Sequence, residues 1–382
     1  ATKDEKDTTR ARANILREML SKTDTKKPFS RPEIKEVLDL CLSCKGCSSE
    51  CPSNVDMAKL KGEWQYQYYQ DKGIPLRTRL IGNFTTAMTL AAKIPWAYNL
   101  TFSNPLTGSI AKSLMGFATQ RSMPTLSKIP LRKWIKTAFN PSIKTPKRSL
   151  YLFCDEFTQF NDSEVGQKAI LLLDRLGYEV RFVEHPESGR SLLSKGLLKE
   201  AKKLAEKNID IFSKLISQEH PLVGIEPSTI LSFRDEYISL TRGKTKELAK
   251  ELARNVMTIE EFISQEIDQG NISSNQFTAK TKLIKVHGHC HQKSLSSLTP
   301  TKKMLSLPKS YTVHMIPSGC CGMAGSFGYE KEHYDLSMKI GELVLLPTIR
   351  TLPQEVAIAA AGTSCRHQIK DGTNRIAQHP VV

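Results

Sequence analysis

The sequence predicts an α-helical N-terminal region built around a cysteine-rich loop, followed by an α/β region made of two related halves with parallel strands. Three observations predict it. Four cysteines fall within eleven residues, between two helical stretches. From Arg148 onward, short aliphatic and β-branched runs alternate with long polar–apolar stretches. The residues that follow those runs recur in one layout in both halves of that region.

Residues 8–22 read as the first helix. Thr8 and Thr9 are capping residues, and Ile15, Leu16, Met19 and Leu20 make one apolar stripe. A second helix is expected near Ser30, with Pro32 in its first turn. A third follows Asn54 through Met57, Leu60, Trp64 and Tyr68. Between them stand Cys41, Cys44, Cys47 and Cys51-Pro52, spaced C-x2-C-x2-C-x3-C-P. That is the bacterial ferredoxin run for a [4Fe–4S] cluster. Three thiolates two residues apart wrap one cluster face, while the fourth, before the proline, faces away toward a second cluster. Pro52 fixes the exit angle and Gly46 lets the backbone approach closely. A zinc knuckle would want two C-x2-C pairs held apart. No cysteine precedes Cys41. Cys51 therefore completes this cluster, stays unpaired, or serves a neighbour whose other ligands lie upstream of Ala1. The chain starts at Ala1 rather than Met, and the expectation is a processed chain or a piece of something longer. Residues 1–74 form this first domain.

Residues 75–147 form a connector of short helices broken by Pro and Gly, with aromatic residues interleaved. From Lys72 to Cys154 there are 13 Lys or Arg and no Asp or Glu, so this stretch holds most of the chain's net +16. Charge on this scale speaks to partners rather than fold. The favoured expectation is packing on another domain with the charges solvated. A peripheral contact with an anionic membrane surface is the second. No nucleic-acid recognition motif is present, so nucleic acid is not an expected partner.

Residues 148–382 are the α/β domain, divided into 148–280 and 281–382. Strands are expected at 149–153, 179–183, 222–225, 283–286, 311–316 and 356–360, with long helices such as 193–216 and 245–265 between them. Three cysteine stations follow the last three strands: Cys290, Cys320-Cys321-Gly322 and Cys365. Open α/β sheets place their sites at such strand ends. In the first half, Cys154, Glu187-Ser188 and Ser228-Thr229 stand in the matching places. The gaps are 33 and 41 residues there against 30 and 44 in the second half. Oxygen donors suit iron–sulfur ligation poorly, so only the second half is expected to hold a cluster, through Cys290, Cys320, Cys321 and Cys365. Adjacent Cys320 and Cys321 do not close an unstrained disulfide. Both can face one metal centre if Gly322 allows a sharp turn, and a helix N-terminus just after Gly322 is expected to offset thiolate charge. A four-thiolate zinc site or buried free thiols are the alternatives. His287, His289 and His291 surround Cys290. They are expected to touch cluster sulfurs or move protons, with His289 and His291 on one face of an extended segment. Cys154 is expected to be a buried small hydrophobe, with reach across to the other half as the alternative.

Several function classes are excluded. Nine cysteines cannot form an even disulfide framework. With 39% hydrophobic and 25% charged residues the chain is not of disordered composition. No apolar run is long enough to span a membrane, and no dinucleotide glycine fingerprint follows a strand.

The Cys-Cys-Gly station resembles the "CCG" domains of heterodisulfide reductase subunits and of the iron–sulfur subunits of glycolate oxidase and anaerobic glycerol-3-phosphate dehydrogenase. A closer resemblance is to the C-terminal part of fused FAD-linked D-2-hydroxyacid dehydrogenases of the D-lactate and D-2-hydroxyglutarate type. Residues 1–13, 40–64, 224–236, 287–295, 319–330 and 362–369 carry it. The resemblance implies an α-helical ferredoxin domain plus an α/β CCG domain. It also implies two iron–sulfur clusters, one ferredoxin-type and one CCG-type, with cofactor contacts at His289, His291 and Gly322. FAD would lie on a missing domain or a partner, fed by 2-hydroxyacid oxidation, and electrons would pass to a membrane or soluble acceptor. The expected location is cytoplasmic, with the inner face of the membrane as the alternative. Glu187, Ser188 and Thr229 replace cysteines of fuller relatives, and Gly362 leaves Cys365 without a C-x2-C partner. The rival readings are a heterodisulfide-reductase-like thiol–disulfide enzyme and a non-catalytic zinc scaffold.

Overall fold

Residues 1–21 and 27–382 are described by a computed structural model. The first helix runs Thr9–Ser21, and the last residue expected in it, Lys22, lies outside the described residues. Pro32–Asp39 and Met57–Lys72 follow. Pro32 opens its helix where no intrahelical donor is needed. Asp56 caps the next by accepting from the Ala58 and Lys59 N–H groups. The three helices close on Leu16, Met19, Ile34, Leu38, Met57 and Trp64, all buried.

The connector forms Leu76–Gly82, Phe84–Ala91, Pro95–Ser103, Pro105–Leu114 and Leu131–Thr137. Arg121 pins it to the last part of the chain. That side chain is fully buried and donates to the Gly328 carbonyl at 2.7 Å and to Ser337 Oγ at 2.7 Å.

Seven strands follow among the described residues: β1 Arg148–Phe153, β2 Tyr178–Arg181, β3 Leu222–Gly224, β4 Val256–Thr258, β5 Lys282–His287, β6 Tyr311–Met315 and β7 Ala357–Ala360. They make two parallel sheets, ordered β2-β1-β3-β4 and β6-β5-β7. The order β6-β5-β7 repeats β2-β1-β3, so each half starts in the middle of its sheet and crosses over to either side. One core lies between the sheets, joining Leu150, Leu152 and Val223 to Ile284, Val286 and Ala359 through Ile259, Phe262 and Ile263. Each sheet's other face has its own layer. Phe153, Phe212, Phe233 and Tyr237 form one, and Cys321, Met323, Ile349, Cys365 and Ile369 belong to the other.

Two expected helices are broken. The stretch 245–265 is Gly243–Ala253, then β4, then Ile259–Asp268. Thr258 and Glu261 form a capping box, a fresh helix start that helical periodicity alone overlooks. The stretch 193–216 divides into Arg190–Ser194 and Leu198–Phe212. Gly196 between them sits at φ +68°, a left-handed conformation that ends the first helix.

Candidate metal centre

Cys41, Cys44 and Cys47 line a cavity of about 220 Å³ at the edge of the helical region, walled on its far side by Leu336 and Ile340 of the second half. Cys51 lies off this cavity. Its sulfur takes backbone N–H groups from Val55, Ser53 and Asn54, which lower its pKa. The tight turn is made by left-handed Ser43 (φ 52°) and Lys45 (φ 63°), not by Gly46. Those non-glycine residues hold a costly backbone shape because their surroundings fix it. For Lys45 the cause is visible. Its ammonium is buried and faces Asp56 at 3.4 Å and Glu236 at 3.2 Å, with Asp235 in contact as well. Burial lowers its pKa, but the three carboxylates outweigh it and the net shift is upward. The Met57 N–H donates to Cys47 Sγ at 3.3 Å.

The second set gathers at the C-terminal ends of β5, β6 and β7. The Cys320 thiol hydrogen-bonds with Cys290 and Cys321, and Cys321 with Cys365. Hydrogen bonds from Cys320 and Cys365 hold Cys321 well below the ordinary thiol range, while Cys320 and Cys365 are driven up as the donors. Donor atoms of His287, Cys321 and Cys365 lie within 4.8 Å of one another, and all three residues are buried. His287 Nδ1 faces Ser318 Oγ at 2.7 Å, and its other ring nitrogen, Nε2, has no nitrogen or oxygen partner. Soft sulfur donors linked in a row from Cys290 to Cys365, with His287 beside Cys321 and Cys365, suit iron or zinc rather than a hard cation.

No helix begins just after Gly322, contrary to the sequence expectation. Residues 321–326 are loop and turn. Gly322 instead sits at φ +94°, where an added Cβ would fall 2.2 Å from the Ser337 carbonyl oxygen. Its N–H donates to Cys320 Sγ at 3.4 Å, so a single amide does what a helix end was expected to do. Lys293 closes the loop from outside by donating to the Ser318 and Gly319 carbonyls at 2.7 and 2.9 Å.

The two thiol sets adjoin. Burial and then the nearby Cys290 push the Cys44 thiol up to about 11. The helix Cys290–Leu295 packs on Gly46–Glu50. His289 and His291 stand on this helix start rather than on an extended segment. His291 Nε2 meets the Ser43 carbonyl at 3.1 Å, His289 Nδ1 accepts the His291 N–H at 3.2 Å, and His289 Nε2 lies 3.9 Å from Glu226. Their ring nitrogens thus face Ser43 and Glu226. His287 is the histidine beside the thiols.

In the first half the matching place is filled by protein. Glu156 accepts from the Ser188 N–H at 3.0 Å and from Ser188 Oγ at 2.7 Å. Cys154 stays in its own half with its thiol toward Gln159 at 3.5 Å, and burial pushes it up to about 12. Glu226 reaches across the halves to accept the Thr363 N–H at 2.8 Å, two residues before Cys365. Asp162 takes Thr363 Oγ1 and Arg366, each at 2.6 Å. Sequence reading singled out neither Lys45 nor Glu226. Lys45 lies inside the cysteine run, the one available signal. Nothing local marks Glu226.

No family model and no solved structure matches the chain. It is 26% identical over 360 residues to the D-2-hydroxyglutarate dehydrogenase of Pantoea ananatis, covering 91% of this chain and 34% of the relative. It is 22% identical over 268 residues to one of the subunits of the anaerobic glycerol-3-phosphate dehydrogenase of Escherichia coli, 69% of this chain and 64% of that one. Lactate utilization protein A of Bacillus subtilis is 28% identical over 187 residues, 47% of this chain and 74% of the relative. The chain spans about a third of the length of the D-2-hydroxyglutarate dehydrogenases it matches. It is similar over nearly its whole length to one part of those dehydrogenases.

Proposed function

We propose that this chain is an iron–sulfur electron relay. Cys41, Cys44 and Cys47 would hold one [4Fe–4S] cluster, with Cys51 turned to a neighbouring site. Cys290, Cys320, Cys321 and Cys365 would hold the second. The observation that carries the proposal is the contact between the two sets, where Cys290 stands beside Cys44 and His291 bridges to Ser43. Two soft-donor sites built side by side from segments far apart in sequence serve transfer between them better than two separate structural metals. Iron–sulfur clusters, when bound, accept and release single electrons at potentials set by hydrogen bonds, charge and burial. This chain supplies those controls. The Gly322 and Met57 amides donate to Cys320 and Cys47, Lys45 anchors the cysteine loop through a buried ammonium held by Asp56, Asp235 and Glu236, and the apolar layer around Cys321 and Cys365 keeps water out. The electrons would come from a reduced flavin on another domain or subunit that oxidises a 2-hydroxyacid, and would leave to an acceptor in the cytoplasm or at the membrane. The similarity to D-2-hydroxyglutarate dehydrogenases and to lactate utilization protein A supports that direction.

Anaerobic purification with iron and sulfide analysis, followed by EPR after reduction, tests the relay. The expected result is a brown protein with stoichiometric iron and sulfide and two reducible centres. Zinc without sulfide, or a colourless chain without metal, overturns it. Turnover of a disulfide by the isolated chain would replace it with the thiol–disulfide reading.

A further inference from the structure

The connector exposes apolar side chains alongside basic ones. Many of its basic side chains are engaged. Arg77 pairs with Glu332, Arg121 with Asp371 and Arg132 with Glu184, while buried Lys112 donates to the Thr119 and Arg121 carbonyls. The connector also packs on the α/β region through buried Met88, Leu126 and Leu131, yet many of its other apolar side chains stand in solvent. Leu106, Ile110 and Leu114 are 75%, 59% and 84% exposed. At four-residue spacing they form one stripe along the helix Pro105–Leu114. Trp96 and Leu100 repeat the spacing on the adjoining helix Pro95–Ser103, at 69% and 60% exposure. Leu90 and Ile94 extend the patch. Nine of the sixteen exposed large apolar side chains among the described residues lie between Leu76 and Leu114. A concentration of this kind on a folded chain marks a contact surface, whereas scattered apolar residues do not.

We infer that this face docks on an anionic phospholipid surface. The charge around it selects that occupant. Arg79 and Lys93 are exposed on the same segment and carry no ion pair among the described residues. No acidic residue from Lys72 to Cys154 stands to repel a phosphate headgroup. Trp96 fits the headgroup boundary, where one side of an indole is apolar and the other wet. The helices are nine and ten residues long, and among the described residues no helix is long and apolar enough to cross a bilayer. They would lie in the interface plane with the leucine stripe among the acyl chains. The inference stands apart from the relay, because neither thiol set contributes to this face.

The test is co-sedimentation of the full chain with vesicles of phosphatidylcholine alone and of phosphatidylcholine mixed with phosphatidylglycerol. Beside it runs the triple variant Leu106→Glu, Ile110→Glu, Leu114→Glu. The wild type should sediment with the mixed vesicles roughly tenfold more strongly than with the neutral ones, and high salt should reduce the difference. The variant should stay in the supernatant with its circular dichroism and metal content unchanged, since all three side chains are exposed. A wild type that ignores both vesicle types overturns the inference, as does a variant that sediments equally. A dimer seen by light scattering and dissolved by the same variant also overturns it, and gives the stripe to a second copy of the chain.

Discussion

His333 Nε2 lies 3.0 Å from an Asp39 carboxyl oxygen, although 294 residues separate them in sequence. The imidazole stacks on Phe327 with ring centroids 4.1 Å apart, and its Nδ1 is 3.3 Å from Glu330. Lys195 and Arg77 converge on the same Glu330. One cluster of charges therefore ties the thiol-bearing helical region, the connector and both α/β halves together.

This tie gives a pH signature. Burial lowers the His333 pKa, but the hydrogen bond to Asp39 and the Glu330 carboxylate beside Nδ1 carry it up to about 8. A folded pKa raised above the ordinary histidine value stabilises the fold fully below about pH 6.5. That stabilisation fades as pH rises through 8. Urea unfolding from pH 6 to 9 should show the decline in wild type. His333→Gln should flatten it, and an unchanged slope in the variant would show that another group titrates.

Lys45→Ala leaves the Asp56, Asp235 and Glu236 carboxylates facing one another without their shared cation. Removing one partner of a buried ion pair costs about 3–5 kcal/mol. The unfolding midpoint should fall accordingly, and the iron bound near Cys44 should become easier to chelate. A midpoint within error of wild type contradicts the burial of this ammonium.

Gly322→Ala places a methyl group on the Ser337 carbonyl and forces a left-handed backbone on alanine. The loss should exceed about 1 kcal/mol and should fall on the second thiol set, seen as lowered iron content with the first EPR signal intact. Gly319→Ala is the control, because nothing lies within 4 Å of its added Cβ.

Cys321→Ser and Cys44→Ser should each remove one centre and leave the other. The check is iron and sulfide per chain together with EPR. Because Cys44 and Cys290 adjoin, the surviving signal should shift in either variant. Two signals that survive both changes would refute the ligand assignment.

Much of this was legible because it is local. The cysteine run, Pro32 in the first turn of its helix, and the strand-end stations follow from residues close in sequence. All six expected strands appear, shifted by a residue or two at their ends. β4 was hidden because Val256–Thr258 is only three residues long and lies between two good helix formers. The break at Gly196 was hidden because a single glycine reads equally as a tolerated helix residue. Cys44 beside Cys290 and Asp39 beside His333 were not legible at all. Each joins segments hundreds of residues apart, and only the packing of the helical region onto the second sheet sets their distance.

The hydrogen bond from Thr363 to Glu226 bears on how the two halves depend on each other. The half whose stations have lost all but one sulfur still braces the backbone that presents Cys365, through an acid of its own and through Asp162. It works as a splint. Mutational drift there is therefore not free, since a change at position 226 or 162 would loosen a thiol it never touches. Residues 281–382 produced alone would carry every sulfur of the second set yet lack the mould that shapes its last loop.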